Sequence, residues 1–140
     1  MIDSDSLRFV DANIWLCAFV TGQDEAKSRK AQELVLTYQE NLVISTQVIN
    51  EVCVNLLRKA GMQEESVRKV IHAFYRRYKV HGLEDSILIT ASALRQRHSL
   101  SYWDSLIVAA ALFADASVLY SEDMQDGLVI DGRLTIKNPF

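Results

Sequence analysis

The segment SYWDSLIVAAALFADASVLYSED, residues 101–123, has the composition of a buried helix followed by a buried strand. Its first part is rich in alanine and leucine and predicts a helix over 102–115. The short apolar stretch 117–121 predicts a buried strand that ends before two acids. One acid, Asp104, lies within the apolar helix, where an unpaired carboxylate is costly to bury. The segment therefore predicts an α/β core and a specific role for Asp104.

Two roles are open for Asp104. Ser101 lies three residues before it, and S-x-x-D at the start of an apolar run resembles a capping box. In that arrangement the carboxylate accepts the backbone N–H of Ser101 and favours the positive end of the helix. The alternative is a functional role that Asp104 shares with other acids of the chain.

Short apolar strands alternate with helices through the rest of the chain. Further strands are predicted at 7–10, 41–45, 79–83 and 133–140. Further helices are predicted at 13–20, 24–39, 46–60, 65–78 and 87–97, with Ser45 or Thr46 and Asp85 as caps and Gly61 as a stop. This alternation predicts a central, mostly parallel sheet of four to five short strands flanked by helices, in a single domain over 1–140.

The composition argues against several classes of protein. A net charge of −3 over 140 residues does not by itself indicate nucleic-acid binding. No apolar stretch reaches the ~18 residues of a membrane span, and MIDSDSLRF does not resemble a signal peptide. We therefore expect a cytoplasmic protein that is not associated with a membrane. Cys17 and Cys53 form no C-x-x-C and the histidines have no zinc-site spacing, so reduced, buried thiols are expected.

Positive charge is concentrated in one part of the chain. Residues 58–81 contain seven Lys and Arg residues but only two acids, Glu64 and Glu65. Such a cluster is typical either of a solvated helix face or of a surface that contacts a nucleic-acid backbone.

Acids also follow the predicted strands. Asp11 and Asp123 each lie directly after a strand, and ligands of parallel sheets bind outside the carboxyl ends of the strands. Each acid also has an ordinary explanation, since Asp11 could cap a helix that starts at Asn13 and Asp123 could be a turn residue. Glu51, at the edge of an apolar helix stripe, could be a solvated surface residue. Only the acids taken together are specific.

The ordered set of motifs resembles one family. D-A-N after the first strand, S-T-Q-V-I-N-E at the start of a helix, S-Y-W-D, Y-S-E-D and the closing I-K-N-P-F together resemble the PIN-domain nucleases, and most closely the small VapC-like ribonuclease toxins. The resemblance covers almost the whole chain. It implies a PIN-like, three-layer α/β fold. It also implies that the catalytic, metal-binding acids are Asp11, Glu51, Asp104 and Asp123.

The same resemblance assigns supporting residues. Asn13, Ser121 and Asn55 match positions that orient the acids or a water molecule. The ending S-E-D-M-Q-D departs from the family pattern, because Glu122 or Asp126 could share or take the role of Asp123. Arg58, Arg76 and Arg77 from the basic segment are the expected RNA contacts.

Carboxylate oxygens are ligands that suit Mg²⁺, with Mn²⁺ as the alternative ion. The function implied is that of a metal-dependent endoribonuclease, the toxin of a toxin–antitoxin pair, with RNA as substrate, a cognate antitoxin and a homodimeric state. Two other functions stay open. One is an acid-cluster phosphatase with Asp11 as nucleophile, although Asn13 replaces the second acid of that motif. The other is a non-catalytic acidic binding module.

Overall fold

The described chain forms a six-stranded sheet flanked by six helices in a computed structural model that covers residue 3 and residues 5–140. The strands are β1 (Arg8–Val10), β2 (Leu42–Ser45), β3 (Lys79–His81), β4 (Val118–Tyr120), β5 (Val129–Ile130) and β6 (Leu134–Lys137). The helices are α1 (Ala12–Phe19), α2 (Glu25–Thr37), α3 (Thr46–Arg58), α4 (Glu64–Arg77), α5 (Asp85–Arg97) and α6 (Tyr102–Phe113).

The strand order is β3-β2-β1-β4-β6-β5, and every neighbouring pair is parallel except β5–β6. This confirms the predicted α/β class and the mostly parallel sheet. The sheet has six strands and not the four to five predicted, because β5 escaped the sequence pattern. It has two residues and lies between turns in which Gly127, Asp131 and Gly132 have positive φ angles, so no apolar periodicity marks it.

The parallel core brings the ends of three elements to one edge of the sheet. β1 lies between β2 and β4, with Phe9 paired to Val43 on one side and to Leu119 on the other. The residues that follow these three strands therefore lie side by side. They are Asp11, the start of α3 and the turn that begins at Ser121.

Local capping interactions set where the helices begin. Asp11 is the N-cap of α1, which therefore begins at Ala12. Ser45 caps α3, and its hydroxyl accepts the N–H of Val48 at 3.3 Å. The prediction for α5 was wrong by one residue. Asp85 is its first residue, and the N-cap is Glu84, whose backbone is extended with φ −117° and ψ 163°.

Helix α6 runs through the centre of the core. Every residue from Ser105 to Leu112 is buried, and the helix packs on α5 and against β2 and β4. The helix ends at Phe113, two residues earlier than predicted, because Asp115 adopts a positive φ of 58°. Near Asp11, the buried Trp15 of α1 donates its Nε1–H to the carbonyl of Val10, the last residue of β1, at 3.1 Å. Asp104 and Asp11 are thus both attached to rigid elements.

Cys17 and Cys53 are free thiols, as expected, but both are half-buried and not fully buried as predicted. Within residue 3 and residues 5–140, no helix combines the length and the apolar character that crossing a bilayer requires.

Candidate active site

Asp11 is the most deeply buried acid at the carboxyl edge of the sheet, with 5% of its surface exposed. Its Oδ1 accepts the N–H of Ala12 at 2.7 Å, and its Oδ2 accepts the hydroxyl of Ser121 at 2.9 Å. Burial raises the pKa of Asp11 to about 6. The two hydrogen bonds lower this pKa in part, and the negative charges of Glu51 and Asp104 raise it further.

Asp104 lies on the first turn of α6, and its carboxylate is half-buried. The hydroxyl of Ser101 accepts the N–H of Asp104 at 3.1 Å, so the predicted cap is present. The reciprocal bond that we expected, from the N–H of Ser101 to the carboxylate, is absent from the described hydrogen bonds. Burial raises the pKa of Asp104, the nearby Ser101 hydroxyl lowers it, and the charge of Asp123 raises it. The cap therefore satisfies the backbone N–H of Asp104 at the start of α6, and the Asp104 carboxylate forms no ion pair with a Lys or Arg of the described chain.

Asn13 and Ser121 link Asp123 to the rest of the edge. The Nδ2 of Asn13 donates to Oδ2 of Asp123 at 2.8 Å, and the N–H of Glu122 approaches Oδ1 of Asn13 at 3.4 Å. The hydroxyl of Ser121 donates to Asp11 and accepts the N–H of Asp123 at 3.3 Å. Both predicted supporting residues thus contact the acids that they were expected to orient.

Glu51 projects from α3 and is half-buried. Its Oε1 accepts the side-chain N–H of Gln47 at 3.1 Å. Asn55, predicted to support Glu51, donates to the backbone carbonyl of Glu51 at 2.8 Å and not to its carboxylate. Gln47 was not among the predicted site residues, although its position one helical turn before Glu51 was a usable signal.

The other two acids of the S-E-D-M-Q-D segment have partners of their own. Glu122 forms an ion pair with Lys27. Asp126 accepts the backbone N–H of Asn138 at 2.8 Å. Asp123, by contrast, accepts a hydrogen bond from the neutral amide of Asn13. It also lies close enough to Asp104 for its charge to raise the pKa of Asp104.

Among the residues that the structure describes, no Lys or Arg forms an ion pair with Asp11, Glu51, Asp104 or Asp123. The ion pairs of the described chain are Lys27–Glu122, Arg97–Asp131 and Arg133–Asp115, and none includes one of the four. Their mutual repulsion favours binding of a cation, and their all-oxygen chemistry suits Mg²⁺ or Mn²⁺.

In the conformation described for residue 3 and residues 5–140, no three His, Cys, Asp or Glu side chains converge closely enough to hold a metal ion. Glu51 and Asp104 are only half-buried and Asp123 is exposed, so a hydrated ion has access to all three carboxylates. The chemistry of the four acids therefore fits a divalent cation. Binding would require their carboxylates to lie closer together than they do in this conformation.

A family model for the PIN domain matches residues 8–125, a span that includes all four acids. The chain belongs to the PIN-domain family. This confirms the resemblance inferred from the sequence motifs.

Solved structures share the fold of this PIN domain over most of its length. A toxin–antitoxin complex from Klebsiella pneumoniae is 22% identical with a TM-score of 0.72, covering 95% of this chain and 98% of that chain. The sarcin–ricin-loop-cleaving toxin VapC20 of Mycobacterium tuberculosis is 19% identical with a TM-score of 0.68, covering 83% and 91%. VapBC2 of Rickettsia felis, bound to a promoter DNA fragment, is 17% identical with a TM-score of 0.65, covering 94% and 98%. Comparison with curated protein sequences found no significant match.

Two clefts of the PIN domain contain cationic side chains, and one of them is lined by two of the four acids. Asp104 and Asp123 line a cleft of about 280 Å³ whose wall includes Arg97. A second cleft, of about 290 Å³, is lined in part by Glu122, Asn55, Lys27 and Lys59, and by none of the four acids. Arg97 thus shares a cleft with Asp104 and Asp123, whereas Lys59 shares one with Glu122, the neighbour of Asp123 in sequence.

The arginines predicted to contact RNA are not part of these two clefts. Arg58, Arg76 and Arg77 are exposed at the ends of α3 and α4. Arg77 lines a different cleft, beside Trp15 and Phe74, to which none of the four acids contributes. The structure does not bring these arginines together with the acids.

Proposed function

We propose that this PIN domain is a metal-dependent endoribonuclease and acts as the toxin of a toxin–antitoxin pair. The observation that carries the proposal is that Asp11, Glu51, Asp104 and Asp123 lie near one another at the carboxyl edge of the parallel sheet, with no ion pair to a Lys or Arg among the described residues. The fold similarity to toxins, one of which cleaves the sarcin–ricin loop, is consistent with RNA as substrate. Such a substrate places the activity in the cytoplasm.

The four acids are the residues that would hold one or two Mg²⁺ or Mn²⁺ ions. When bound, such an ion lowers the pKa of a water molecule and offsets the charge that develops on the phosphodiester. Asp11 contributes a carboxylate whose orientation is fixed by the N–H of Ala12 and the hydroxyl of Ser121. Asn13 restrains Asp123 in the same way. Restraint of this kind reduces the reorganisation needed when the substrate binds.

The chain also needs positive charge to position the RNA backbone beside an acidic edge. Arg97 lines the cleft of Asp104 and Asp123, and Lys59 lines the cleft of Glu122, the neighbour of Asp123 in sequence. Lys27 and Arg97 are each paired with an acid, Glu122 and Asp131 respectively, so among the described residues Lys59 is the cation of these clefts without an ion pair. We therefore assign the RNA backbone contacts to these cleft residues in preference to Arg58, Arg76 and Arg77.

The contacts of Asp11 argue against a phosphatase that uses it as nucleophile. Both carboxylate oxygens accept hydrogen bonds, which lowers their nucleophilicity. The general acid of that reaction would have to stand at Asn13, but an amide cannot donate a proton in catalysis, and this one is bonded to Asp123. Labelled phosphate should not be trapped on Asp11 during turnover.

Cleavage of a structured RNA by the purified protein, with Mg²⁺, Mn²⁺ or EDTA, tests the proposal. We expect cleavage with either ion, none in EDTA, and 5′-phosphate and 3′-hydroxyl products. Asp11→Asn and Asp104→Asn should each lower the rate by orders of magnitude, whereas Glu33→Gln, which changes an exposed acid on α2, should not. Ion-independent cleavage, or cleavage that survives both changes, would refute the mechanism. The absence of saturable Mn²⁺ binding in isothermal titration would favour the non-catalytic module.

A toxin of this kind requires an inhibitor, so we propose a cognate antitoxin as partner and a homodimer as the assembled form. Co-expression with a small reading frame adjacent to the gene, followed by size-exclusion chromatography with light scattering, tests both parts. Co-elution with loss of ribonuclease activity supports the antitoxin. A monomer at micromolar concentration refutes the homodimer.

A further inference from the structure

Gln47 connects two elements of the acidic edge through one side-chain amide. It lies on the first turn of α3, where its Nε2 donates to Oε1 of Glu51 at 3.1 Å. The same Nε2 approaches the backbone carbonyl of Trp103 at 3.4 Å. Trp103 immediately precedes Asp104, so the amide joins the Glu51 carboxylate to the backbone that supports Asp104.

The orientation of this amide is fixed by its partners. Both the Glu51 carboxylate and the Trp103 carbonyl are acceptors, so only the NH₂ end of Gln47 can face them. The opposite atom, Oε1 of Gln47, is then buried without a hydrogen-bond partner among the described residues. A buried acceptor without a partner lowers the stability of the folded state. The position of Gln47 therefore holds Glu51 at the expense of an unsatisfied oxygen.

We infer that Gln47 is a positioning residue that fixes Glu51 beside α6 for ion binding, an inference that rests on the proposed function. Gln47 occupies one carboxylate oxygen of Glu51, while Oε2 accepts no hydrogen bond from the described residues and remains available. Without this bond, a half-buried glutamate on a helix samples several rotamers and is no longer held beside α6.

Gln47→Met tests this role because methionine has a similar length and shape but neither donor nor acceptor amide atoms. The matched control is Asn50→Met, which changes an exposed amide that lines the same cleft beside Glu51 and Trp103. Three quantities are measured for each protein: kcat and KM for RNA cleavage, Mn²⁺ affinity by calorimetry, and the melting temperature in EDTA.

We expect Gln47→Met to lower kcat or Mn²⁺ affinity by about 10- to 100-fold, the usual effect of removing a group that orients a metal ligand. Its melting temperature in EDTA should equal or exceed that of the parent, because the unsatisfied Oε1 is removed. Asn50→Met should match the parent in Mn²⁺ affinity and kcat. A purely structural role for Gln47 predicts the opposite pattern, with a lower melting temperature and unchanged Mn²⁺ affinity.

The outcomes separate the two proposals. If the parent binds Mn²⁺ and cleaves RNA but Gln47→Met does so equally well, the role of Gln47 is refuted and the proposed function stands. If the parent neither binds Mn²⁺ nor cleaves RNA, the proposed function is refuted and the role of Gln47 with it. If Asn50→Met loses as much affinity as Gln47→Met, the effect belongs to the cleft surface and not to the Gln47 amide.

Discussion

Replacing Asp11 with asparagine should stabilise the metal-free protein at neutral and alkaline pH. The change keeps the shape of the side chain and removes a charge that is 95% shielded from solvent, since only 5% of the residue is exposed. Asparagine can still accept the N–H of Ala12, and its NH₂ can donate to the hydroxyl of Ser121, which accepts as well as donates. Both contacts of the native carboxylate thus have a replacement.

The magnitude follows from the pKa. Burial raises the pKa of Asp11 from 3.8 to about 6, so the folded state binds a proton more readily than the unfolded state. The contribution of Asp11 to the free energy of unfolding is fully present below pH 3.8 and is lost as the pH rises through about 6. Above that pH the ionised carboxylate costs about 3 kcal/mol. Asp11→Asn avoids this cost, so we expect a gain of about 1–3 kcal/mol at pH 8 and none near pH 3.5.

Urea unfolding in EDTA, followed by circular dichroism at several pH values between 3.5 and 8, measures the difference. For a domain of this size, each kcal/mol corresponds to a change of about 3 °C in the melting temperature, which gives an independent measurement. Glu33→Gln, an exposed neutralisation on α2, serves as the control for surface charge. If Asp11→Asn is less stable than the parent at pH 8, or its advantage does not change with pH, Asp11 is not a desolvated carboxylate and the assignment of the buried ligand is wrong.

Three further perturbations separate structural from functional roles. Ser101→Ala should lower stability by about 1 kcal/mol through loss of the α6 cap and keep ribonuclease activity, whereas Asp104→Asn should keep the cap and lose activity; equal activity losses would contradict this division. Lys59→Gln should reduce the slope of log affinity for single-stranded RNA against log salt concentration by about 0.7, and the double change of Arg76 and Arg77 to Gln should leave that slope unchanged. Filter binding at several salt concentrations measures both slopes, and a reduction only in the double variant would contradict the assignment. Mn²⁺ at about 100 times its dissociation constant should stabilise the parent by about 2.7 kcal/mol, and Asp104→Asn far less, in thermal melts; equal gains would exclude Asp104 as a ligand.

The elements that could be predicted from the sequence are those whose signals are local. The apolar run of α6 and the serine three residues before Asp104 predicted both the helix and its cap. Short apolar stretches ending in Asp11 and Ser121 predicted parallel strands with polar residues at their carboxyl ends. In contrast, β5 has only two residues, and its pairing with β6 depends on turns that bring the two strands together. A segment of that length has no periodicity to read.

The hydrogen bonds that support the acids were harder to predict, because the residue type does not determine which atom of a neighbour a side chain contacts. Asn55 was expected to serve Glu51, and it does contact that residue, but through the backbone carbonyl. The carboxylate is held by Gln47, one turn earlier on the same helix. Both positions satisfy the same helical spacing, so the choice depends on side-chain rotamers and on the nearby carbonyl of Trp103, which the Gln47 amide approaches at 3.4 Å.

The choice among Glu122, Asp123 and Asp126 shows most clearly why distant partners are decisive. Three acids within five residues are equivalent as a local pattern, and the sequence left all three open. In the fold, Lys27 from α2 neutralises Glu122, and the backbone of Asn138 engages Asp126. Asp123 is left with a neutral amide on one side and another acid nearby, so its negative charge is not offset by any Lys or Arg of the described chain. Among the three, it is therefore the acid for which a divalent cation provides the most favourable partner.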